Sequence, residues 1–112
     1  VVPENTPKIK VEGIESYGAE IIFSAPSERF NVANKLCEEN HWHFISPFDD
    51  NEVITGQGTA GLEILEQLPD VDAIIVPVGG GGLIAGLATA VKETNPQVKI
   101  IGVEPASVAR YT

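Results

Sequence analysis

The sequence predicts an α/β protein in which a parallel sheet is covered by helices on both faces, in three layers. Two observations predict this class. Short runs that are apolar almost without interruption are typical of strands buried on both faces. They alternate with longer runs whose apolar residues recur every three or four positions, as on one face of a helix. Gly, Pro and Asn residues stand between the runs, where turns are needed.

The first part of the chain contains two predicted helices and two predicted strands. Thr6 suits the N-cap of a first helix, with Pro7 as its first residue and Gly18 just beyond its end. Pro26-Ser27 begins a second helix, whose apolar residues share one face. Strands are predicted at 19–24 and 41–46.

The segment 47–51, Pro-Phe-Asp-Asp-Asn, interrupts this alternation. Its turn-forming residues make it the best place for the chain to cross between two subdomains, so we divide the sequence into residues 1–47 and 48–112. Asp49-Asp50 is most simply a polar turn within that crossing.

The second part continues the alternation. Residues 52–68 form a predicted helix, and Gly56-Gln57-Gly58-Thr59 is expected to start or kink it, with Thr59 as a cap. A second ligand loop is the alternative interpretation of these four residues. The remaining predicted elements are a strand at 73–78, a helix at 83–94 and a strand at 98–103.

Composition excludes several classes of function. Sixteen acidic residues against seven Lys and Arg give a net charge of −9, and no basic stripe is present on which nucleic acid could dock. The same charge disfavours anionic membranes, and no apolar run approaches the about 20 residues of a membrane helix. We therefore expect neither nucleic acid nor membrane as a partner.

The single cysteine bears on the cellular compartment of the protein, and the first residues bear on whether the chain is processed. Cys37 has no second cysteine to pair with, which fits a reducing cytoplasm, and its place on a helical apolar stripe suggests a core thiol. The chain begins Val1-Val2-Pro3-Glu4 and contains no Met. We expect a processed product or an internal piece of a longer protein, without a signal peptide.

Four consecutive glycines between the strand at 73–78 and the helix at 83–94 are the strongest functional signal. The first N–H groups of a helix have no intrahelical acceptor, and the helix dipole favours negative charge beside them. The expected ligand is an anion such as phosphate, held by backbone N–H groups of Gly79, Gly80, Gly81, Gly82 and Leu83.

Two alternatives apply to this loop. One is a tight turn without a ligand. The other is a dinucleotide site, since Gly80-x-Gly82-x-x-Ala85 fits the G-x-G-x-x-G/A pattern and Glu104 ends the next strand, where an acid would bind a ribose hydroxyl.

His41 and His43 would share one face of a strand, but no further metal ligand adjoins them, so exposed edge residues are expected.

Several motifs together resemble the threonine dehydratase and serine racemase branch of the fold-type II enzymes that use pyridoxal 5'-phosphate (PLP). The resemblance runs the full length of this chain, in order, and covers about a third of that family's catalytic domain. The motifs are Val-Val-Pro-Glu-Asn-Thr-Pro-Lys at 1–8, Tyr-Gly-Ala-Glu at 17–20, Pro-Phe-Asp-Asp at 47–50, Gly-Gln-Gly-Thr at 56–59 and Val-Pro-Val-Gly-Gly-Gly-Gly-Leu at 76–83.

The resemblance implies that the tetraglycine loop holds the cofactor phosphate. It also implies that residues 1–47 end the small subdomain and that 48–112 belong to the large one. The lysine that bonds the cofactor in this family belongs to a Ser-x-Lys type motif, expected upstream, so no catalytic residue is expected within this segment. None of the five lysines matches that motif: Lys8, Lys10, Lys35, Lys92 and Lys99.

The implied activity is that of an L-threonine or L-serine ammonia-lyase, which eliminates the β-hydroxyl and yields a 2-oxo acid and ammonia. A racemase is the alternative within the family. The full-length protein is also expected to be a cytoplasmic homo-oligomer with a role in amino-acid metabolism, for example in isoleucine biosynthesis. This segment alone is expected to be inactive. Some relatives hold a divalent cation at an acid matching Glu104, but Arg110 stands where a second acid is expected. We therefore expect no metal and keep Glu104 only as a weak candidate.

Overall fold

The computed structural model describes residues 1–109 and Tyr111. The chain divides into two compact units, Val1–Phe44 and Ile45–Thr112. The sequence placed a subdomain boundary at 47/48, and the assignment of the two parts to a small and a large enzyme subdomain stays a prediction.

The first unit contains two short parallel strands and two helices. Val2 pairs with Phe23 in this two-stranded sheet. Gly18 has a φ of +78°, the left-handed conformation that favours glycine after a helix end. The elements are β1 (Val2–Pro3), α1 (Lys8–Ser16), β2 (Phe23–Ser24) and α2 (Arg29–Asn40).

Both helices of this unit begin later than predicted. Pro7 occupies the N-cap position of α1, and no side-chain hydrogen bond caps the helix, so the expected cap by Thr6 is wrong. Residues 26–28 form a turn closed by the bond from the Glu28 N–H to the Ala25 carbonyl, and α2 follows this turn instead of starting at Pro26.

The predicted strand at 41–46 is also wrong. His41 adopts a left-handed conformation, with φ of 57°, and ends α2. The residues after it have no strand partner among the described residues, and a strand cannot persist without the hydrogen bonds of a neighbour. Phe44 instead packs edge-on against Phe30, with ring centroids 6.4 Å apart.

The second unit contains the strand–loop–helix–strand sequence that was predicted. Strands β3 and β4 are parallel, with Ala73 opposite Lys99 and Pro77 opposite Val103. This confirms the α/β class with parallel strands. The elements are α3 (Asn51–Gln67), β3 (Ala73–Pro77), α4 (Gly82–Thr94), β4 (Lys99–Val103) and a short 3₁₀ helix (Ala106–Val108).

The core of this unit lies between β3 and the helices. Ile74 and Val76 are buried together with Val98 and with Leu87 and Val91 of α4, and Ile64 and Leu65 of α3 pack against this cluster. On the opposite face of the sheet Ile75, Ile101 and Val103 remain exposed among the described residues. The described helices of this unit thus cover one face of the sheet.

Helix α3 passes through the Gly-Gln-Gly-Thr motif without a break. Gly58 and Gly61 are buried, and a Cβ on them would come within 3.1 Å of the Gly86 carbonyl oxygen and 3.0 Å of the Leu87 carbonyl oxygen. The glycines therefore allow α3 and α4 to cross closely, and the predicted helix start at this motif is wrong, because α3 begins at Asn51. Thr59 caps nothing, since its hydroxyl donates to the Gly56 carbonyl at 2.8 Å.

Candidate functional site

The glycine loop leads directly from β3 into α4. Gly81 is the N-cap of α4 with a φ of +93°, a conformation that side chains with a Cβ rarely adopt. The first hydrogen bond of the helix runs from the Ala85 N–H to the Gly81 carbonyl, at 2.9 Å. The N–H groups of Gly82, Leu83 and Ile84 therefore have no intrahelical acceptor.

The starts of α3 and α4 differ in one respect that matters for binding. At α3 the Asp50 carboxylate accepts from the N–H groups of Glu52 and Val53, at 2.9 and 3.0 Å. Asp50 was expected only to form a polar turn. At α4 the capping residue is Gly81, which has no side chain, and no side-chain bond caps the helix. The start of α4 is thus the one of the two that is open to an external anion.

The four glycines have different neighbours. A Cβ on Gly79 would meet nothing within 4 Å, whereas a Cβ on Gly80 would overlap the ring of Phe48. A Cβ on Gly82 would come within 2.8 Å of the Phe48 Cα, and one on Gly81 within 2.9 Å of the Tyr111 hydroxyl. Three glycines are therefore required by neighbouring protein atoms or by φ, and Gly79 alone borders open space.

Two cavities adjoin the loop. The smaller, of about 180 Å³, is lined by all four glycines and Leu83 together with Phe48 and Gln57. The larger, of about 530 Å³, is mostly apolar and is lined by residues that include Phe48, Val78, Ile84 and Glu104. Phe48 borders both cavities, so it lies beside the space at the helix start and beside the wider apolar space.

Tyr111 connects the loop to the residue that follows β4. Its hydroxyl donates to the Gly80 carbonyl and its backbone N–H donates to the Glu104 carboxylate, each at 3.2 Å. These bonds occupy a loop carbonyl and leave the loop N–H groups available. Glu104, the weak metal candidate, lines the larger cavity, and Arg110 lies outside the described residues.

No Lys or Arg side chain is among the described residues that line either cavity. Lys92, near the other end of α4, donates to the Pro96 carbonyl at 3.0 Å. An anion at the loop would therefore be held by N–H groups and the helix dipole, as the sequence predicted.

The other predicted candidates lie in the first unit. His41 and His43 are exposed there, and Cys37 is half-buried. Among the described residues, no three His, Cys, Asp or Glu side chains come together as metal ligands would. Within the part of the chain that the structure describes, no helix is long and apolar enough to cross a membrane.

Phe48 and Gln57 line the site although neither was singled out from the sequence. Phe48 was predicted only as part of the break at 47–51. Gln57 was predicted as part of a helix start, with a second ligand loop as the alternative. Both reach the loop through contacts between segments distant in sequence, and a single sequence gives no signal for such contacts. A glycine that must avoid a Cβ does indicate that some neighbour approaches it, but not which one.

A protein family and several known proteins are similar to this chain in sequence. The family model described as pyridoxal-phosphate dependent enzyme matches residues 1–112. An L-threonine ammonia-lyase of Geobacter sulfurreducens is 52% identical over 108 residues, which is 95% of this chain and 27% of that protein. A serine racemase of Rattus norvegicus is 45% identical over 109 residues, 96% of this chain and 33% of that protein.

Solved structures agree with these relatives. Maize serine racemase superposes with a TM-score of 0.88 at 44% identity, covering 93% of this chain and 32% of that one. The processed form of threonine deaminase isoform 2 from Solanum lycopersicum gives 0.86 at 46% identity, covering 96% and 32%. The chain thus spans between a quarter and a third of the length of the curated relatives described here.

Proposed function

This chain belongs to the pyridoxal-phosphate-dependent enzyme family, whose cofactor is pyridoxal 5'-phosphate, and we propose that the start of α4 holds the phosphate of that cofactor. The observation that carries the proposal is the open start of α4. Gly82, Leu83 and Ile84 present N–H groups without intrahelical acceptors, and no side chain caps them.

The residues present fit a phosphate dianion. Gly79 borders open space in which a Cβ would meet no protein atom, so a phosphoryl oxygen can approach its backbone closely. The helix dipole adds favourable charge at the same point. Gly79, Gly80, Gly81, Gly82 and Leu83 would hold the group by their backbone, and the conformation of Gly81 directs the loop into the helix.

The apolar cavity beside the loop suits the ring of the cofactor. Its volume of about 530 Å³ lies in the range of small-molecule sites. Val78, Ile84 and the Phe48 ring line it and would exclude water from one side of a bound aromatic ring. When bound, the cofactor supplies an electron sink for amino-acid chemistry, and this chain's part is to anchor and orient it.

For the full-length protein we propose L-threonine and L-serine ammonia-lyase activity, an α,β-elimination that releases ammonia and a 2-oxo acid. The 52% identity to an L-threonine ammonia-lyase supports this reaction. The lysine that bonds the cofactor would come from outside residues 1–112. The homo-oligomer, the cytoplasmic location and the role in isoleucine biosynthesis remain predictions from the sequence.

Serine racemase is the second candidate. It is supported by the 45% identity of the rat enzyme and by the TM-score of 0.88 with the maize enzyme. The dinucleotide alternative loses its support because the matching family is defined by PLP, although Glu104 does line the same cavity as Gly80.

Two measurements on the full-length protein test the proposal. Borohydride should fix PLP covalently to a lysine outside residues 1–112, and a protein that retains no PLP would contradict the cofactor assignment. Assays with L-threonine and L-serine then separate the reactions. Formation of 2-oxobutanoate from threonine supports the ammonia-lyase, whereas D-serine as the main product from L-serine supports the racemase.

A further inference from the structure

Gln57 supplies the one polar side chain among the described residues that line the small cavity at the glycine loop. The other lining residues are Pro, Phe, Gly, Leu and Ile. The Gln57 side chain makes no hydrogen bond to another described residue, and the residue is exposed. A residue whose side chain carries a primary amide, with two N–H donors, therefore lines the space beside the open start of α4.

The close crossing of α3 and α4 determines this position. A Cβ on Gly86 would overlap the carbonyl of Ile54 and come within 3.1 Å of the Gln57 Cβ. Gly86 lies one helical turn after Gly82, the first residue of α4. Because the two backbones touch here, Gln57 is held beside the first turns of α4 by rigid helix packing rather than by a flexible loop.

The chemistry of the cavity gives the amide a role. A phosphate dianion offers several acceptor lone pairs on three terminal oxygens, and no Lys or Arg among the described residues lines the cavity to meet them. Backbone N–H groups of the loop approach from one side. An amide approaching from α3 can add a donor without adding a charge, and its donor capacity does not depend on pH.

We infer that the Gln57 side chain donates a hydrogen bond to a phosphoryl oxygen of the cofactor, as a binding residue additional to the glycine loop. This inference rests on the proposed function, because it needs the phosphate to lie at the start of α4. It assigns to the Gly-Gln-Gly-Thr motif two separate roles: Gly58 allows the helices to cross, and Gln57 contacts the ligand.

The test compares PLP with pyridoxal, which has the same ring and aldehyde but no phosphate. Equilibrium binding to cofactor-free full-length protein is measured for wild type, Gln57→Leu, Gln57→Glu and the control Gln67→Leu, at the last residue of the same helix. Gln57→Leu should weaken PLP binding about tenfold, the order expected for one hydrogen bond to a charged group, and leave pyridoxal within twofold. Gln57→Glu should weaken PLP further, since a carboxylate repels the dianion, and Gln67→Leu should change neither ligand.

The outcomes separate this inference from the proposed function. The role of Gln57 is wrong if either Gln57 variant weakens the binding of PLP and pyridoxal equally. It is also wrong if neither ligand binds more weakly. Both conclusions hold even where the wild type strongly prefers PLP. If wild type shows no preference for PLP over pyridoxal, the phosphate site itself is wrong. The ³¹P resonance of bound PLP gives a second readout, and it should shift in Gln57→Leu but not in Gln67→Leu.

Discussion

The backbone of Phe48 lies directly against Gly82. A Cβ on Gly82 would come within 2.8 Å of the Phe48 Cα and 3.0 Å of its carbonyl oxygen. The segment that precedes α3 is therefore packed onto the first turn of α4, and the same residue borders both cavities at the loop. The position of the proposed phosphate site depends on this contact as well as on the glycines.

Gly82→Ala should destabilise the full-length protein by about 1–3 kcal/mol, because the new methyl group must displace backbone of Phe48 rather than a movable side chain. Denaturant unfolding, with and without PLP, measures the loss. Unchanged stability would show that the segment 47–51 can move away from α4.

Gly79→Ala should behave differently, since its Cβ would meet no protein atom within 4 Å. The stability of the cofactor-free protein should change by less than about 0.5 kcal/mol, as for an ordinary surface substitution. PLP affinity should fall at least tenfold, because the methyl group enters the space proposed for the phosphate. Equal PLP affinity in Gly79→Ala and wild type would favour the turn without a ligand.

The helix crossing gives a matched pair of substitutions in neighbouring helices. Gly86→Ala should be among the most destabilising changes, since its Cβ would overlap the Ile54 carbonyl in a rigid backbone contact. Gly56→Ala meets nothing within 4 Å and lies inside α3, so it should stabilise the protein by about 0.4–1 kcal/mol. Thermal unfolding of both variants checks the opposite signs, and a stable Gly86→Ala protein would contradict the crossing.

Asp50 should contribute as the N-cap of α3. Asp50→Ala removes the acceptor for two N–H groups and should cost about 1 kcal/mol, whereas Asp50→Asn retains an acceptor and should cost less. Asp49→Ala is the control, because the bond of Asp49 in this turn is made by its backbone N–H to the Ser46 hydroxyl. Chemical denaturation of the three variants gives the comparison; equal losses for Asp49→Ala and Asp50→Ala would argue against the cap.

Secondary structure was predicted most accurately from the sequence where local signals and tertiary packing agree. The strand, glycine loop, helix and strand from Ala73 to Val103 were placed to within one residue at each end, since apolar strands and a glycine turn signal the same boundaries. The segment 41–46 has a β-like pattern, but it finds no strand partner among the described residues. Propensity without a partner is not enough to form a strand.

At the Gly-Gln-Gly-Thr motif the prediction was wrong because local propensity and tertiary packing disagree. Glycine is a poor helix former, so Gly56 and Gly58 predicted a start or kink. In the structure Gly58 and Gly61 gain burial against α4, and this tertiary contact outweighs the local cost. Phe48 was missed, and Gln57 was included only in the alternative of a second ligand loop, because only the folded chain brings these residues to the glycine loop.

The two helix starts of the second unit have a consequence for the protein without its cofactor. Helix α3 carries its own anion, the Asp50 carboxylate, whereas α4 has none of its own. A bound phosphate would complete α4 as Asp50 completes α3, so the ligand would act as a structural cap. The first turn of α4 should then fray when the cofactor leaves, and amide hydrogen exchange at Gly82, Leu83 and Ile84 should slow when it returns.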